Sequence, residues 1–68
     1  MNELIFVVEE APEGSFTALA LGHSIFTEAE NWQELQTKVR EAVSCHFGDK
    51  PAPGLIRLHY VRDEVLAL

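Results

Sequence analysis

The sequence predicts a small α+β domain of order β-β-β-α-β, with a single mixed sheet of order 3-2-1-4 and one helix packed on one face. Three observations carry this. Residues 31–47, NWQELQTKVREAVSCHF, hold the only amphipathic helical pattern. The segments around it are short and either apolar or alternating, the signature of strands. At 68 residues the chain fits one domain, spanning 1–68.

The first strand is residues 4–8, LIFVV. It is too short for a core helix, rich in β-branched residues and apolar on both faces, so it belongs inside the sheet. Ala11-Pro12-Glu13-Gly14 follows, with proline and glycine where a type I turn takes them. Residues 15–21 form the return strand, with Phe16, Ala18 and Ala20 on one face and Thr17, Leu19 and Leu21 on the other. Gly22-His23 turns the chain again, and residues 24–29 make a third strand ending in polar residues, as suits an edge.

Asn31 is placed to cap the helix, with Glu34 at capping-box spacing. Trp32, Leu35, Val39, Ala42, Val43 and His46 recur on one helical face with Phe47 beside it, so these residues, His46 included, are expected against the sheet. Glu34 and Lys38 are ordered for an ion pair one turn apart. Gly48 stands where a helix-ending glycine belongs, and Asp49-Lys50-Pro51-Ala52-Pro53-Gly54 continues neither element. Residues 55–61 are the fourth strand, with Ile56, Leu58 and Tyr60 alternating with Arg57 and His59. The tail, residues 62–68, passes from polar Arg62-Asp63-Glu64 to apolar Val65-Leu66-Ala67-Leu68, and its conformation is left open.

Three strands joined by short turns form an antiparallel meander. A helix returning along the sheet makes the fourth strand parallel to the first, and pairing these two places LIFVV internally. One helix covers one face only. The other face exposes one alternate set of LIFVV together with Leu19 and Leu21, and an apolar patch of this kind marks an interface. A chain this short buries only about 60% of the surface its unfolded state exposes. Cys45 is the sole cysteine, so no internal disulfide compensates, and a lone cysteine fits a reducing, cytoplasmic setting. The expectation is a homo-oligomer, joined through the open face or the edge of the fourth strand.

Five basic residues against eleven acidic give a formal charge of −6. That charge argues against nucleic-acid binding by this chain alone and leaves room for a small basic protein as partner. No stretch has the roughly 20 apolar residues of a membrane span, and Met1-Asn2-Glu3 lacks the basic start of a secretory leader. Cys45-His46 invites a metal or nucleophile reading, but adjacent helical residues point about 100° apart and share no site. His23 and His59 stand in a turn and a strand without ligand spacing. Neither cofactor, metal nor catalytic group is expected. The candidate partner-binding residues are Arg57, His59, Leu19 and Leu21.

The chain resembles the HicB-like antitoxin family, small β-β-β-α-β modules. The likeness rests on Glu9-Glu10 followed by Gly14-Ser15-Phe16-Thr17-Ala18, on Phe26-Thr27-Glu28-Ala29 leading to Leu35, and on Glu41-Ala42 within the helix. It implies a non-enzymatic protein-interaction module that acts through a sheet edge or face. Ala20-Leu21-Gly22-His23-Ser24 replaces the family's proline-rich turn, and no DNA-binding segment follows the last strand, so operator binding is not implied. Residues 9–14 and 18–29 also resemble short bacterial proteins labelled as 2-oxoisovalerate dehydrogenase subunits. The alternative function is therefore a small accessory subunit or enzyme of 2-oxoacid metabolism. A thiamine-diphosphate enzyme needs a large pocket, a Mg²⁺ site and diphosphate-binding loops, for which this chain has no room.

Overall fold

In the computed structural model, which describes residues 3–68, the elements run β1 (Glu3–Glu10), β2 (Phe16–Ala20), β3 (Phe26–Ala29), α1 (Trp32–Phe47) and β4 (Leu55–Val61). They form one four-stranded mixed sheet of order β3-β2-β1-β4, the α+β arrangement expected. β1 pairs antiparallel with β2 (Phe6 opposite Ala20, Val8 opposite Ala18) and parallel with β4 (Leu4 opposite Ile56, Phe6 opposite Leu58). β2 pairs antiparallel with β3, setting Leu19 opposite Phe26. Met1 and Asn2, part of the case against a leader, lie outside the described residues.

Turn chemistry sets the register. The Gly14 amide donates to the Ala11 carbonyl at 2.9 Å, closing the first hairpin as its Pro–Gly spacing requires. Gly14 has φ +100°, a conformation glycine adopts without Cβ strain. β3 begins at Phe26 rather than residue 24, because the chain is still rounding the turn: the Ile25 carbonyl accepts from Ala20 at 3.0 Å. Ile25 nevertheless reaches the core.

Strand alternation sorts the two faces. Leu4, Phe6 and Val8 of β1 are buried with Ala18, Ala20, Ala29, Leu35, Val39 and Val43. Beneath the helix, β2 and β3 contribute alanines while β1 contributes the bulk. The small side chains let α1 settle over β3 and β2, the strands it packs against most closely. Phe6, Val8, Leu35 and Val39 fill the space between. Burying such a side chain stabilises by about 1.5–3 kcal/mol, so this cluster outweighs any surface contact in holding the helix down.

The helix start departs from the expected box in one detail. Asn31 Oδ1 accepts from the Glu34 amide at 2.8 Å, as an N-cap should, but Glu34 Oε1 accepts from the Glu30 amide, one residue upstream of the cap. That use of the Glu34 carboxylate replaces the expected pairing with Lys38, and among the described residues the only ion pair is Arg57–Glu3. At the other end Gly48 has φ +59° and donates to the Ser44 carbonyl. His46 is a correction: it is exposed rather than set against the sheet. Val43 is the last buried residue of the stripe; in the final turn Phe47 packs on the edge of the core, while His46 points out and meets the His23 and Phe47 rings.

Residues 62–68 form neither helix nor strand. They continue outward from β4, and the molecule measures 52 × 22 × 18 Å.

Candidate interaction surface

The face away from α1 carries the alternate residues of every strand. From β1 come Ile5 and Val7, both half-buried, with Glu3 and Glu9 at the ends. Register puts Leu19 beside Val7 and Phe26 beside Leu19, while Leu21 donates its amide to the Ile5 carbonyl. Leu19, Leu21 and Phe26 are 52%, 53% and 60% exposed, far above what isolated core residues show. Together with Ile5 and Val7 they make one continuous apolar strip.

Arg57 and His59 flank that strip on β4, opposite Ile5 and Val7. All four residues singled out from the sequence, Arg57, His59, Leu19 and Leu21, therefore share the open face. The Arg57 guanidinium donates to Glu3 Oε2 at 2.8 Å and holds that carboxyl below its ordinary range. Arg57 is 62% exposed, so solvent screening keeps the pair weak; its effect is to hold the guanidinium toward Glu3, at the end of β1 beside the strip. Phe26, Leu55 and Val61 belong to the same face and were missed. Leu55 and Val61 follow from the alternation that places Arg57 and His59, and Phe26 follows once Ala29 is assigned to the helix side.

Other groups converge elsewhere. Phe16, Trp32 and Tyr60 pack with ring centroids 5.5–6.0 Å apart at the start of the helix. The Tyr60 hydroxyl donates to Glu10, which pushes the phenol pKa up. Trp32 itself is 37% exposed, a correction to the expected buried stripe: it packs its ring on Phe16 and Tyr60 at the rim, and Phe16 is the ring of the three that reaches the core. His23 and His46 meet with ring centroids 5.4 Å apart, a convergence their sequence positions did not announce. Cys45 is exposed, and among the described residues no cluster of three or more His, Cys, Asp or Glu is placed to hold a metal. In the first hairpin the Glu13 carboxyl is held below its usual range by its own backbone amide and by the Ser15 hydroxyl.

Beyond the strip lie two further surfaces. A groove of about 150 Å³ runs between α1 and β4, lined by Gln36, Val39, Arg40, Ile56 and Leu58. It exists because α1 sits over the alanine-bearing strands and leaves β4 only partly covered. A polar cleft is lined by Glu13, Ser15, Glu28, Glu30, Glu34 and Lys38.

Comparison with known proteins gives two close relatives. The UPF0150 protein of Archaeoglobus fulgidus is 52% identical over 55 residues, covering 81% of this chain and 82% of the relative. The chain belongs to the UPF0150 family. The UPF0150 protein of Thermotoga maritima is 33% identical over 67 residues, covering 98% of this chain and 94% of its own length. No protein-family model and no solved structure matches the chain. The UPF0150 name states no activity, so the family fixes kinship and leaves the role to be argued from the surface. Among the described residues no helix is long and apolar enough to cross a membrane.

Proposed function

We propose that this UPF0150 member is a non-enzymatic protein-interaction module, HicB-like in character, whose open sheet face receives a small basic protein. The observation that carries this reading is the apolar strip of Ile5, Val7, Leu19, Leu21 and Phe26. Apolar area of this kind supplies the affinity of an interface. The acidic groups Glu3, Glu9 and Glu28 lie on the same face, and the net charge of −6 favours encounter with a positively charged surface. The strand order supports the antitoxin-like comparison, since it provides the sheet edge and face through which such modules act.

The alternative, an accessory subunit or enzyme of 2-oxoacid metabolism, needs convergent polar groups that attract an anion. The most polar cleft is lined by Glu13, Glu28, Glu30 and Glu34 against one Lys38, a composition that repels an oxoacid.

The test is co-purification of the tagged chain from its native host, beside a Leu19→Asp, Phe26→Asp variant. A stoichiometric basic protein recovered with the unaltered chain and lost from the variant supports the reading. Recovery of the chain without a protein partner sinks it.

A further inference from the structure

The tail and the outer edge of β4 are two unsatisfied features of the structure. β4 has seven residues, and residues 62–68 are seven more. At about 3.3 Å per residue each spans about 23 Å, and laid end to end they account for most of the 52 Å long axis. The tail is thus an arm running on from β4. Its base lies beside the first hairpin, where Arg62 and Asp63 share a cleft with Glu10, Ala11 and Pro12. Beyond that base the side chains are bare: Val65 is 95% exposed and Leu66 78%.

β4 pairs on one side only, with β1, so its outer edge presents unpaired backbone donors and acceptors. Beside that edge lies the groove whose apolar wall is Val39, Ile56 and Leu58. The arm runs on past the end of β4, so it cannot reach its own β4 edge without reversing direction.

We propose that the arm of one copy adds as a strand to the outer edge of β4 in a second copy, reciprocally about a two-fold axis. Strand periodicity puts Glu64, Leu66 and Leu68 on one side of the arm. That side faces the groove, with Leu66 and Leu68 against Ile56, Leu58 and Val39 of the second copy. Arg40, at the rim of the groove, is opposite in sign to Glu64. The arm's backbone supplies the hydrogen bonds that the edge lacks, and its side chains read the groove, as in other strand additions. Two copies related in this way close the contact and leave no further edge of this kind open. The shallow cleft that Arg62 and Asp63 share with the first hairpin orients the base of the arm, which lowers the entropy lost on docking. The open face remains free, so this dimer stands independently of the partner proposed for that face.

The experiment compares the full chain, a chain ending at Glu64, and a Leu66→Asp, Leu68→Asp variant by sedimentation at high micromolar concentration. The full chain is expected at twice its 7.6 kDa monomer mass and both altered chains at the monomer mass, with unchanged far-ultraviolet circular dichroism. In a mixed-label sample, isotope-filtered NMR is expected to show intermolecular contacts from the Leu66 and Leu68 methyls to those of Ile56 and Leu58. A monomeric full chain, dimers that persist without the arm, or arm contacts confined to one chain would each overturn the proposal. Leu19→Asp separates the two proposals: it leaves the arm dimer intact while removing the open-face partner.

Discussion

Leu35→Ala measures how much of the fold rests on the helix–sheet seam. Leu35 is fully buried, one turn into α1 and beside Val39 in the core. Truncation to alanine removes three carbon atoms, worth about 0.8 kcal/mol each in transfer, or about 2.4 kcal/mol. A cavity adds to that loss, because strands anchored by their ladders cannot collapse into it, bringing the total to about 3–5 kcal/mol. Typical domain stability scaled to 68 residues is roughly 3–10 kcal/mol, so the variant approaches or passes the limit of folding. Asn31→Ala removes only the cap and should cost about 1 kcal/mol. The assay is urea denaturation at one fixed protein concentration, followed by circular dichroism and by Trp32 fluorescence. If Leu35→Ala and Asn31→Ala lose the same small amount, α1 does not bury the face assigned to it and the account of the core is wrong.

Two further outcomes follow from single contacts. Tyr60 is the only tyrosine, and its hydroxyl donates to Glu10, so its pKa in the folded chain lies above the ordinary value of 10.0. A raised folded pKa means that this contribution is fully present below about pH 10 and is lost as pH rises through the folded value. Phenolate absorbance should therefore titrate at higher pH in folded than in urea-unfolded protein, and Tyr60→Phe should blunt the alkaline fall in melting temperature; coincident titrations in the two states would discard the bond. Gly48→Ala meets open space but forces alanine to φ +59°, and is expected to cost on the order of 1–3 kcal/mol, whereas Gly54→Ala, without positive φ, should be nearly silent; equal melting temperatures would contradict the strain.

The strand order was legible because LIFVV is apolar on both faces and so belongs inside the sheet. Between β2 and β4 its Leu4, Phe6 and Val8 are buried under the helix, and Ile5 and Val7 are half-buried among neighbouring strands. The cap was legible because asparagine and glutamate at that spacing have one good local use. What escaped notice depended on contacts that spacing cannot encode. The meeting of His23 with His46 requires the last helical turn to end beside the β2–β3 turn. The α1–β4 groove arises from where the helix settles, which Ala18, Ala20 and Ala29 decide jointly from two strands. Glu34 had two local partners within reach, Lys38 and a backbone amide, and took the backbone donor, the interaction that stabilises a helix end more than an exposed ion pair. On the open face, Leu19, Leu21, Arg57 and His59 were readable from alternation, whereas Phe26 became visible only through the register of β3.

The parallel pairing of β1 with β4 joins Glu3 to Leu55, nearly the two extremes of the chain. Everything between them must be made before that ladder can close. During synthesis the meander and helix emerge first, leaving one side of LIFVV without its neighbour until residue 61 has cleared the ribosome. Long-range closure of this kind slows folding relative to local pairing. The nascent chain therefore passes through an interval in which its most hydrophobic strand is an open edge, vulnerable to chaperones, proteases and other nascent copies alike. The last strand to be translated ends that exposure.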